Sequence, residues 1–136
     1  MRLLRFNLVG TAGIGVQLGA LWLLTDLAHV HYLLATPAAV SAAVVHNFLW
    51  HWWWTWHDRA QASRPAAAFA RFAAANGAVS LAGNLGVMAT LVSGAHVPPV
   101  AANGVAICVC GLLNYWLGDV FVFPVGPANR PGARPA

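Results

Sequence analysis

The chain has no lysine and only three acidic residues, and its charged side chains amount to 7% of 136 residues. A soluble domain carries about 25% charged residues. A water-facing surface is therefore excluded, and the class is integral membrane. The net charge of +4 comes entirely from arginine, but the apolar runs around those arginines exclude a nucleic-acid-binding stripe. Cysteine is scarce too. Cys108 and Cys110 stand two residues apart in an apolar run, and on a helix they point about 200° apart. That spacing suits neither a mutual disulfide nor a shared metal. There is no nucleophile–base pair, no zinc-ligand spacing and no Gly-rich phosphate loop. The connections between apolar runs are too short for a nucleotide-sugar domain. No enzyme, no metal and no cofactor is expected.

What is present is a set of long apolar runs. Four can cross a bilayer core, which needs about 20 helical residues; they lie near 6–25, 33–56, 67–93 and 98–123. The first is too long for a cleavable signal peptide. All seven arginines fall in three places: Arg2 and Arg5 before the first run, Arg59, Arg64 and Arg71 around the central connection, and Arg130 and Arg134 in the tail. The connectors TDLAHVHY and SGAHVPP carry none. The positive-inside rule places both termini and the central loop on the cytoplasmic side of an inner membrane. The expected organisation is a four-span domain over 1–124 and a disordered, Pro- and Gly-rich tail over 125–136. Pro65, after Ser63, suits the first turn of a helix with a serine cap.

The chain is internally repeated. Arg5-Phe6 opens the first run and Arg71-Phe72 the third. NFLWHWWWTW at 47–56 matches NYWLGDVFVF at 114–123 in an Asn, an aromatic, and a closing aromatic, β-branched, aromatic triplet. The offsets are 66 and 67 residues, so one insertion or deletion accounts for the difference between the halves. Two spans return the chain to its starting side. The fold class expected is thus an all-α integral membrane four-helix bundle of two parallel two-helix repeats, an arrangement found in transporters.

At these motifs the chain resembles the GtrA-like family of small four-span membrane proteins, similar also to the membrane domains of dolichol-phosphate-mannose-synthase-type proteins. The matching residues are Arg5-Phe6, Arg71-Phe72, Asn47-Phe48, Trp54-Thr55-Trp56, Asn114-Tyr115 and Phe121-Val122-Phe123. The family's Asn-Arg pair is replaced by His51-Trp52 in one half and Gly118-Asp119 in the other. The resemblance implies work in cell-surface polysaccharide synthesis, with a polyprenyl-phosphate-sugar lipid and a membrane glycosyltransferase as partners.

Arg5 and Arg71 each stand at the start of a span, where free N–H groups and the helix dipole favour an anion and a guanidinium matches phosphate oxygens. They are the candidate lipid-phosphate ligands; topology and snorkelling are the plainer role. Asn47 and Asn114 precede the closing aromatics by nine residues, or ~14 Å of helix, near mid-bilayer. In the second span Asn47, His51 and Trp54 share a helix face at i, i+4, i+7. With Trp50, Gln17, Asn84, Asn114 and Asp119 they are the candidate sugar path; interhelical hydrogen bonding is the alternative. Asp119 is placed to pair with Arg5 or Arg71. Most of the crowded run HWWWTW reads as an interfacial aromatic belt, while Trp54 and Trp56, with counterparts in Phe121 and Phe123, belong to a scaffold shared by the two halves. Gly15 and Gly19 form a GxxxG stripe for close helix packing or a homodimer.

Three functions are compatible with these residues. The first is a flippase, or flippase subunit, for a polyprenyl-phosphate-linked sugar. The second is a non-transporting anchor or oligomerisation subunit for a glycosyltransferase. The third is a small drug exporter, for which the first span lacks a central acid.

Overall fold

The computed structural model describes residues 1–60 and 64–125, apart from the side chains of Tyr32, Asn84, Met88, Pro99 and Val100. Every described element is helical. The chain divides into two compact units, Met1–Ala60 and Gln61–Ala136. In the first, α1 (Arg2–Trp22) runs into a π turn at Leu23–Leu27, and α2 (Tyr32–Trp50) runs into another at His51–Thr55. A one-turn helix, α3 (His57–Ala60), follows. In the second, α4 (Pro65–Ala78), a π turn at Val79–Gly83, α5 (Asn84–Met88) and a π turn at Ala89–Gly94 form one continuous helix. The last helix, α6 (Pro99–Leu117), closes in a π turn at Gly118–Val122.

Four helices are thereby long and apolar enough to cross a membrane: Arg2–Leu27, Leu33–Thr55, Pro65–Gly94 and Ala101–Val122. The protein is an all-α, multi-pass membrane protein. Pro65 occupies the first turn of its helix, as its fixed φ favours, and Arg64 rather than a serine precedes it as N-cap. Ser63 and the tail from 126 onward lie outside the described residues.

The packing inverts that of a soluble protein. Large apolar side chains such as Leu8, Ile14, Leu18, Leu34, Trp53 and Ile107 are exposed, as lipid-facing residues are. Small ones lie inward, where they let backbones approach. In α2 and its π turn the inward row takes every fourth residue: Ala35, Ala39, Ala43, half-buried Asn47, then His51 and Thr55. Its counterpart in α6 is Ala102, Ala106, Cys110, half-buried Asn114, Gly118 and Val122. Each member stands 67 residues after its mate, so the repeat seen in two motifs extends through the whole helix.

The backbone repeats as closely. Trp56 N–H bonds His51 O and Phe123 N–H bonds Gly118 O, both at 2.9 Å. At the other end of each hairpin the letters Ala-His-Val occur twice, at 28–30 and 95–97. Both histidines adopt positive φ, 52° at His29 and 55° at His96, a conformation in which His is enriched among non-glycine residues. Their neighbours make matching bonds, Ala28 N–H to Leu23 O and Ala95 N–H to Thr90 O, each 3.0 Å.

The single insertion has a visible location. The offset is 66 at Arg5/Arg71 and 67 at the connectors, so the extra residue lies within the third span. That span alone of the four carries an internal π turn, Val79–Gly83, whereas the corresponding stretch of α1 is regular α-helix. An i→i+5 bond encloses one residue more than an i→i+4 bond, so the π turn absorbs the insertion without breaking the helix.

Gly13 sets the closeness of the first hairpin. It is buried, and a Cβ built on it would overlap the Asn47 side-chain amide. Gly13→Ala is expected to destabilise the protein by about 1–3 kcal/mol through overpacking. In an Asn47→Ala background the same change should become neutral or stabilising by up to ~1 kcal/mol, because alanine is the better helix former. Thermal unfolding of the four variants in detergent checks the change of sign.

Candidate functional site

The residues that close each hairpin come first. The last carbonyls of a helix have no intrahelical partner and lie at the negative end of its dipole. In the first unit Arg5, from the start of α1, donates through Nη1 to Trp54 O at 3.1 Å, and its guanidinium sits 5.6 Å from the centre of the Trp54 ring. In the second, Arg71 donates through Nη2 to Val122 O at 3.4 Å. The Arg-Phe motif thus satisfies a carbonyl at the end of its partner span, a role the sequence alone did not reveal. Arg71 turns to that carbonyl and not to Asp119; its Nε is buried without a hydrogen-bond partner. Asp119 lies half-buried in the closing π turn. Arg2 adds an ion pair to Asp58 at 2.5 Å, half-exposed and therefore worth little by itself.

Phe6 completes the closure of the first hairpin. It stacks on His51 with ring centres 4.9 Å apart and planes 9° apart, and meets Trp56 edge-on at 6.1 Å. The His51 ring also meets Trp56 edge-on at 5.2 Å, and its Nδ1 is 3.0 Å from Thr55 Oγ1. Trp56 is 0% exposed. Trp56 belongs to the packed interior, like its repeat counterpart Phe123, whereas Trp53, 74% exposed, fits an interfacial belt. His51 is buried, held by aromatic packing and a hydroxyl.

The shared face of Asn47, His51 and Trp54 is divided by the π turn. Its wider turn delays the face by one residue, so Thr55 rather than Trp54 continues the inward row. Trp54, 38% exposed, turns instead to a groove of about 270 Å³ lined by Leu8, Val9, Ala12, His46, Trp50 and Trp54. Trp50 and Trp54 meet edge-on at 6.2 Å, and His46 lies 6.2 Å from Trp50. Asn47 stays in the hairpin seam, where its Oδ1 accepts from His46 Nδ1 at 3.1 Å. Trp50 and Trp54 are brought together; Asn47 and His51 are separated from them.

The remaining amides are uncommitted. Gln17, Asn76 and Asn114 are half-buried and make no side-chain hydrogen bond among the described residues. The interhelical bonding expected of Asn114 is therefore not made there. Asn84 begins α5, and its side chain lies outside the described set. Gly15 and Gly19 face open space, since a Cβ at either would meet nothing within 4 Å. No group of three metal-ligating side chains occurs among the described residues.

Four apolar spans in two repeated hairpins, each closed by the arginine of an Arg-Phe motif, define a small multi-pass membrane protein. The family described as GtrA/DPMS, transmembrane domain, matches residues 5–123, and the chain belongs to that family. A dolichol-phosphate mannosyltransferase of Pyrococcus furiosus is 37% identical over 57 residues, which is 42% of this chain and 16% of that protein. The matched segment is thus a small part of that larger relative.

Proposed function

We propose that the chain translocates a polyprenyl-phosphate-linked sugar across the cytoplasmic membrane, as a flippase or flippase subunit, with both termini cytoplasmic. The observation that carries this reading is the set of uncommitted amides at Gln17, Asn76 and Asn114. Within a bilayer an amide without a partner is costly, and a sugar's hydroxyls are suitable partners. Arg5 and Arg71, each at the start of its own hairpin, are the candidate phosphate ligands at headgroup level, while the prenyl chain stays in lipid. No carboxylate stands centrally in a span, so flipping would run down the gradient of the lipid-sugar. The protein's part is binding and passage and not bond-making.

The second reading is an anchor or oligomerisation subunit for a membrane glycosyltransferase. It is favoured by the relative, in which the matched segment is 16% of a mannosyltransferase. Proteoliposomes holding the purified chain and a fluorescent polyprenyl-phosphate-sugar separate the two. A translocase makes the inner-leaflet label accessible to an outside quencher without any other protein. Loss of label accessibility to the level of empty liposomes would leave the anchor.

A further inference from the structure

We propose that the groove of the first hairpin is the seat of the phosphate-proximal isoprene units of a polyprenyl phosphate, with the phosphate on Arg5. The inference rests on the lipid-linked-sugar reading above and assigns the lipid to one hairpin of the two.

The order of residues gives the direction. Arg5 meets Trp54 at the outset of α1. Leu8, Val9 and Ala12 then continue along α1 while Trp50 and His46 continue back along α2. From Trp54 to His46 is ~12 Å of helix, so the groove starts beneath the guanidinium and runs toward mid-bilayer. A lipid whose phosphate sits at headgroup level has its first chain units along that line.

The chemistry at each end fits. A guanidinium has five N–H donors. The Arg5 guanidinium gives one to Trp54 O and makes no other hydrogen bond among the described residues, leaving donors for phosphate oxygens in the fork geometry that suits them. Trp54 is shared between the two parts, because it carries the guanidinium over its ring and also lines the groove. Beyond it the lining is apolar except for His46. Such a trough suits a methyl-branched hydrocarbon and offers a sugar almost nothing, which leaves the sugar to the amides elsewhere.

The comparison between repeats singles out this hairpin. The positions equivalent to His46, Trp50 and Trp54 are Leu113, Leu117 and Phe121. Both hairpins share the backbone bonds and the carbonyl-capping arginine. Only one has the imidazole and the indole pair along the seam. Contact with bulk lipid is served equally well by leucine, so the aromatic lining marks a specific occupant.

The test uses the intact chain in phosphatidylcholine nanodiscs with a polyprenyl monophosphate bearing a diazirine on its first isoprene unit. Crosslinks are mapped by mass spectrometry. They are expected on Leu8, Ala12, Trp50 or Trp54, and are expected to be displaced by unlabelled polyprenyl monophosphate but not by phosphatidic acid. Exchanging His46→Leu, Trp50→Leu and Trp54→Phe, the residues of the other repeat, should lower labelling about tenfold with helicity unchanged. Crosslinks shared equally with Leu117 and Phe121, or displaced equally by phosphatidic acid, would overturn the assignment; the wild-type map decides even where the triple variant does not fold. Groove labelling without flipping in proteoliposomes leaves the seat intact and removes the translocase. Flipping by the triple variant at the wild-type rate removes the seat and leaves the translocase.

Discussion

Chains carrying both Arg5→Gln and Arg71→Gln are expected to insert and fold but to lose polyprenyl-phosphate binding about 10- to 100-fold. A hydrogen bond to a charged group contributes about 1.5–3 kcal/mol, and with the phosphate on Arg5 that loss comes from the first hairpin. Arg5→Gln alone should therefore lose nearly as much, and Arg71→Gln much less. Glutamine keeps an N–H₂ donor for the carbonyls of Trp54 and Val122 that the arginines now satisfy. Hairpin closure is therefore largely preserved, and the five other arginines maintain orientation. Binding is measured in detergent with native mass spectrometry or a fluorescent lipid. Binding unchanged in the double variant, with its thermal midpoint intact, would assign these arginines to carbonyl capping alone.

Trp56→Ala is expected to cost about 3–5 kcal/mol of stability, the range for removing a fully buried large aromatic ring. The indole is 0% exposed, edge-on to both Phe6 and His51, and its N–H group on the backbone closes the π turn by bonding His51 O. The repeat supplies the conservative control. Phe123 fills the corresponding place in the second hairpin, also at 0% exposure, so Trp56→Phe should cost less than about 1.5 kcal/mol. Unfolding by sodium dodecyl sulfate measures both. Equal losses for Ala and Phe would mean that the indole N–H, and not the ring volume, holds the site.

Several features were legible in the letters, and for physical reasons. A span is written as a run of apolar residues because lipid demands it over the whole length, so the four helices, the fold class and the family were readable. The repeat was readable because its motifs sit where helices end, and the doubled Ala-His-Val of the connectors carried the same signal. The π turns were not readable. A wider turn is chosen by the packing of its neighbours and leaves no mark in hydropathy, yet it decides which side chains face inward. An unbroken helical period put Trp54 beside Asn47 and His51; the π turn at His51–Thr55 put Thr55 there and sent Trp54 to the groove. Indole is equally at home at an interface and in a packed seam, so composition could not distinguish Trp53, which is exposed, from Trp56, which is not. The capping of helix-end carbonyls by Arg5 and Arg71 was hidden because it depends on the distance between two spans.

The bonds from Arg5 to Trp54 and from Arg71 to Val122 each begin and end within one hairpin, as does the ion pair of Arg2 with Asp58. Each pair of spans thus carries its own closures. During synthesis the first pair has everything needed to lock once residue 60 has left the ribosome, before the second pair exists. Insertion can then proceed two helices at a time, with no lone helix waiting in the bilayer for a distant partner.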